Sequence, residues 1–149
     1  MLGKITLAAA AAAHLVACAT AEAGDPFGAI SDTVQKYLDG TEKAKPDLIE
    51  EAFAPSLEVQ WLGEDGALRQ RGAAEYIETF RDMRYPDRKG KILAIDATDT
   101  AATVKAEIEW MGRRYTDYML LLNIKGEWKI TNKIVVWKDL ESSEDIEAE

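Results

Sequence analysis

The 149-residue chain has one cysteine, Cys18, and one histidine, His14, both within its first eighteen residues. A body cleaved of that segment has no imidazole and at most one thiol. That excludes Ser-His-Asp and Cys-His nucleophilic catalysis and any zinc site built on His or Cys. No metal site and no cofactor is expected. Cations are scarce as well, 18 Lys and Arg against 27 Asp and Glu, for a formal charge of −9. A chain this acidic does not attract phosphate backbones, so nucleic acid is excluded as a partner. There is no internal repeat, no Gly-rich phosphate loop and no Asn-x-Ser/Thr site. The longest apolar run, Ile5 to Ala17, has 13 residues and is broken by Thr6 and His14, short of the roughly 20 that cross a bilayer as a helix.

That run follows one cation, Lys4, and precedes small residues, so residues 1–23 have the layout of an export signal. Leu15-Val16-Ala17-Cys18 matches a bacterial lipobox, in which cleavage falls before Cys18 and its sulfur carries a diacylglyceryl group. Ala19-Thr20-Ala21 and Ala21-Glu22-Ala23 offer small-x-small sites for plain secretion, with cleavage after Ala21 or Ala23. An unpaired cysteine in an exported protein favours lipidation. Ala19 after Cys18, where Asp would retain a lipoprotein at the inner membrane, favours the outer membrane. The expectation is a bacterial periplasmic protein, anchored to the outer membrane through Cys18 or else soluble or secreted.

The rest reads as one domain, 26–138. Asp25-Pro26 opens a helix whose apolar residues Ile30, Val34, Tyr37 and Leu38 recur at helical spacing and which ends near Gly40. Pro46 opens a second with Leu48, Ile49, Ala52 and Phe53, and Pro55 stops it. Leu57 to Leu62 alternates as a strand and returns through Gly63-Glu64-Asp65-Gly66. After Gly72, Tyr76, Ile77, Phe80 and Met83 form the stripe of a third helix. From Lys91 the period changes to two, in runs over about 91–97, 101–111, 114–124 and 127–137. Their short loops require antiparallel neighbours. Residues 139–149 carry six acids in eleven positions and read as a disordered, solvated tail. The predicted class is α+β, a strongly curved antiparallel sheet covered by about three N-terminal helices.

This order resembles the cone-shaped fold of the nuclear transport factor 2-like superfamily, which includes ketosteroid isomerase and the small polyketide cyclases. Tyr115-Thr116-Asp117-Tyr118-Met119-Leu120-Leu121-Leu122, followed by Gly126-Glu127-Trp128-Lys129-Ile130-Thr131-Asn132-Lys133, is similar more narrowly to its lumazine-binding branch. One departure is Asn123, where that branch leads one to expect Lys. The likeness covers about residues 29–137 and implies a cavity between sheet and helices. A fold alone does not assign a reaction.

Hairpin geometry gives the cavity face independently. With Gly112-Arg113 as a two-residue loop, Trp110 opposes Tyr115, Ile108 opposes Asp117, Ala106 opposes Met119 and Val104 opposes Leu121. With Lys125-Gly126 as the next loop, Asp117 opposes Ile134 and Met119 opposes Asn132. The face carrying Val104, Ala106, Ile108 and Trp110 is apolar, and Asp117 lies on it. Glu107, Tyr118 and Lys133 then form a ladder on the outer face. A bulge that slips the register by one residue would exchange the faces.

A carboxylate among Ile108, Trp110, Met119 and Ile134 must be hydrogen-bonded or hold its proton. The expected donors are Asn132, Tyr115 or the Trp110 indole. Asp117 can satisfy a helix terminus or a tyrosine and hold the helices on the sheet, anchor a ligand, or act as a general acid and base. Ligand-lining residues are expected to be Trp61, Tyr76, Phe80, Trp110 and Tyr115 beside Asp117. Met119, Asn132 and Ile134 complete the set. Trp137 could equally pack in a dimer contact. The arginines, Arg71 and Arg88 included, read as solvated surface, with Arg113-Arg114 as an alternative cationic rim for an acidic ligand. The leading expectation is a binder of a small, partly apolar molecule. One alternative is a metal-independent isomerase, cyclase or dehydratase using Asp117, and another is a homodimeric interaction module with a filled cone.

Overall fold

A computed structural model of the chain describes residues 25–81, 85 and 87–140. Residues 1–23, where an export signal is expected, with Cys18, Met83 and positions 141–149, lie outside the described residues. Helix α1 (Pro26–Glu42) starts where expected: the Asp25 side chain accepts from the Phe27 N–H at 3.1 Å, and Pro26 takes the first turn. It buries Ile30, Val34, Tyr37, Leu38 and Thr41 along one stripe. It also runs past Gly40, because that glycine marks a close crossing rather than an end. A Cβ there would lie 2.6 Å from Ile49 Cγ1 of α2 (Pro46–Ala52).

Strand β1 (Phe53–Leu62) begins earlier than Pro55 suggests. Its pairing with β6 is irregular between Phe53 and Glu58, and at such a break a proline leaves no ladder donor missing. Next come β2 (Leu68–Gly72), the short α3 (Ala73–Glu78), β3 (Lys89–Thr98), β4 (Ala101–Trp110), β5 (Arg113–Ile124) and β6 (Glu127–Asp139). The strands form one sheet in the order β2-β1-β6-β5-β4-β3. The pairing is antiparallel except that β1 lies parallel to β6, a correction to a wholly antiparallel sheet. Irregularities in β1, β3 and β6 bend the sheet. Helices cover its concave side, and Val59, Val104, Ala106, Ile108, Leu121 and Ile130 pack there against Ile30, Val34 and Ile49.

Both central hairpins turn through a residue and a glycine at positive φ: Met111 (50°) and Gly112 (70°), then Lys125 (55°) and Gly126 (94°). The favoured two-residue turn needs positive φ at both positions, and glycine takes the second. The loop is therefore Met111-Gly112, not Gly112-Arg113. Asp117 opposes Ala106, Tyr115 opposes Ile108, and Met119 opposes Val104. Moving the loop back one residue displaces each partner by two, and a shift of two preserves the face. Asp117 accordingly points inward.

The second hairpin starts as expected, with Leu121 opposite Ile130, and then slips by one, so that Leu120 opposes Asn132 and Met119 opposes Lys133. Thr131 is the extra residue, and its hydroxyl donates to the Leu120 carbonyl at 3.2 Å. The bulge turns Lys133 into the core, 2% exposed, and sends Ile134 out, 50% exposed. The expected outer ladder of Glu107, Tyr118 and Lys133 does not form.

Candidate functional site

Inside the cone, four elements bring four polar side chains together. Tyr37 comes from the buried stripe of α1, Tyr76 from α3, Asp117 from β5, and Lys133 from β6 just past the bulge. Lys133 Nζ donates to Tyr37 Oη at 2.7 Å, to Tyr76 Oη at 2.8 Å and to Asp117 Oδ2 at 3.1 Å. Its three N–H bonds have three acceptors. Tyr37 donates to the same Oδ2 at 2.7 Å. The ammonium also lies 4.5 Å from the Tyr37 ring centroid and 4.4 Å from that of Tyr76, placing the charge against two π faces. Burial, reinforced by the Asp117 charge and by Tyr76, pushes the Tyr37 phenol well above its ordinary pKa. It remains a neutral donor over the physiological range.

A tyrosine on a helix does satisfy Asp117, as one of the expectations had it, but the named donors differ. Asn132, Tyr115 and the Trp110 indole do not bond it; Tyr37 and Lys133 do. Both use Oδ2. Oδ1 has no partner among the described residues, on a side chain that lines a cavity. No fully enclosed polar side-chain atom is left unsatisfied there, so Oδ1 reaches the cavity space.

The cavity measures about 240 Å³. Trp61, Tyr76, Trp110, Tyr115 and Asp117 line it, as the sequence suggested, and Trp137 joins them. Phe80 and Met119 lie behind the wall in the core, 5% and 1% exposed. Asn132 and Ile134 belong to the opposite face, where they border a groove with Tyr118 and Leu120, because the bulge reverses their direction. Lys133 and Arg88 were missed. Arg88 is 7% exposed, not solvated, and its Nε donates to Thr41 Oγ1 at 3.0 Å. Arg113 and Arg114, the proposed rim, pair instead with Asp139 and Glu109. A charge argument could have found Lys133, since an inward carboxylate on a strand needs a cation within reach, and a one-residue slip supplies it.

Residues 25–136 match the family described as "Putative lumazine-binding". The chain belongs to this family. Among curated proteins none matches it in sequence. Similar solved structures share the nuclear transport factor 2-like fold of this lumazine-binding family. An NTF2-like protein of unknown function from Shewanella baltica OS155 is 25% identical over 76% of this chain and 94% of that one, with a TM-score of 0.71. Another from Silicibacter pomeroyi DSS-3 is 20% identical over 76% and 96%, TM-score 0.69. A ketosteroid isomerase-like protein from Erwinia carotovora atroseptica is 13% identical over 75% and 95%, TM-score 0.60. The last two establish likeness of fold alone.

Proposed function

We propose that this protein is an exported binder of a small, partly apolar, aromatic molecule held inside the cone. The observation that carries the reading is an aromatic-walled cavity, about 240 Å³, with a buried ion pair at its floor. Ligand sites are mostly apolar clefts with a few fixed polar groups, commonly of roughly 300–1,000 Å³. A cavity of about 240 Å³, just below that range, suits one or two rings. The walls of Trp61, Trp110 and Trp137 offer flat π surfaces, and Asp117 Oδ1 offers a free acceptor. The family's description agrees with a small-molecule ligand. A void of this size speaks against a filled cone. Export, with Cys18 lipidated and the domain anchored at the outer membrane, rests on the N-terminal sequence.

A second copy of the chain is the proposed cover for the convex face. Tyr118, Leu120, Ile134 and Val136 are about half exposed there on adjacent strands. Tyr118, Leu120 and Ile134 border a groove of about 680 Å³, an apolar surface suited to an isologous contact. The enzymatic alternative has one feature in its favour, the free Oδ1 of Asp117 facing the cavity. It requires turnover that Asp117→Asn abolishes, whereas in a binder that substitution weakens affinity.

Indole N–H resonances test the binding reading. On titration with one- and two-ring aromatic acids and amides, the resonances of Trp61, Trp110 and Trp137 should shift. Trp128, buried away from the cavity, should not. Uniform shifts in all four, or none with any probe, would refute it.

A further inference from the structure

We infer that the cavity takes a carboxylate-bearing aromatic molecule, with the Arg88 guanidinium as its anion anchor; this deepens the binding reading above and rests on it. Arg88 lines the cavity and is 7% exposed. Its Nε is engaged by Thr41, and its Nη2 only reaches Tyr37 Oη at 3.5 Å. Nη1 has no partner, and no carboxylate pairs with Arg88, among the described residues. Arg88 shares the field of Asp117 with Lys133 but has no carboxylate in direct contact, so a nearly buried guanidinium is left with room to pair with an anion that arrives.

The charges at the floor fix the sign and size of that anion. Lys133 and Arg88 face a single carboxylate, Asp117, which leaves one positive charge in excess. Lys133 does not hold that excess open, because Tyr37, Tyr76 and Asp117 take all its donors. Arg71, at the same cavity, already has Glu75 at 3.3 Å. A monoanion neutralises the floor, whereas a dianion such as a phosphate ester would invert it. A planar carboxylate also fits the guanidinium fork, which is held over the Phe80 and Trp110 rings at 5.7 and 5.9 Å. Tyr76 can add a second donor: its oxygen accepts from Lys133, and its own hydrogen has only Tyr37 Oη at 3.3 Å nearby. The chain's charge of −9 opposes the ligand's approach, but that field is screened beyond about 8 Å at physiological salt.

The test is calorimetric titration of the folded protein, near neutral pH, with 2-naphthoate and its neutral isostere 2-naphthamide. The acid should bind about tenfold more tightly or better, as a charge-assisted hydrogen-bond pair implies. Arg88→Gln should bring the two to near parity. Should that variant fail to fold, Arg88→Lys keeps the charge without the fork and should lose part of the preference. Equal or tighter binding of the amide by the unaltered protein would overturn the anion assignment and leave a binding cavity standing. An undiminished preference in either variant would overturn the role of Arg88. Failure of both probes to bind would overturn the inference together with the reading beneath it.

Discussion

Replacing Lys133 by Met removes the cation from the floor and leaves the Asp117 carboxylate buried with only Tyr37 to bond it. At 3.1 Å, and with both side chains 1% exposed, the direct attraction is about 5 kcal/mol at an effective dielectric near 20. Breaking one side of a buried pair typically costs about 3–5 kcal/mol, because the remaining ion stays desolvated. For a domain of this size that lowers Tm by roughly 10–20 °C. Asp117→Asn should cost a similar amount by stranding the ammonium. The double variant should be much milder than the sum of the two, with a coupling energy of at least about 2 kcal/mol. Urea unfolding followed by tryptophan fluorescence reads all four corners of the cycle. Costs that simply add, or a Lys133→Met penalty below about 1 kcal/mol, would refute the paired floor.

The raised Tyr37 pKa makes stability sensitive to alkali. The folded state holds the phenolic proton more tightly than the unfolded chain, so this contribution is intact below about pH 10 and lost as pH rises beyond it. Ultraviolet absorbance should show at least one tyrosine equivalent, Tyr37, ionising only as the chain unfolds; smooth titration of all five tyrosines near pH 10 would contradict this. On the convex face, Leu120→Lys with Ile134→Lys should weaken self-association at least about tenfold, read by light scattering after size exclusion. A monomeric parent protein, or a variant that still dimerises, would count against that interface.

The fold was legible because each element carries its own period: the α1 stripe of Ile30, Val34, Tyr37 and Leu38 repeats at helical spacing, and the last four strands alternate. Asp117 was legible for a sturdier reason. The first loop was misplaced by one residue, yet displacing its partners by two leaves every side chain on its own face. Lys133 had no such protection. After Thr131 both parities of β6 are apolar, Ile134 and Val136 on one side and Val135 and Trp137 on the other. Alternation therefore cannot say which faces in, and a single bulge decides it. Tyr37 could be read as core but not as a donor, since its partner lies 80 positions away in sequence. Arg88 looked like one more surface cation because only tertiary packing sets it beside Thr41 and over Trp110.

Native mass spectrometry of the mature protein, purified gently from its own host, tests the central claim most directly. A non-covalent mass increment matching a small aromatic acid is expected, released on denaturation and reduced in Arg88→Gln, above a polypeptide mass that begins at Cys18 with its acyl chains. A bare polypeptide in every preparation, with nothing released on unfolding, would contradict it.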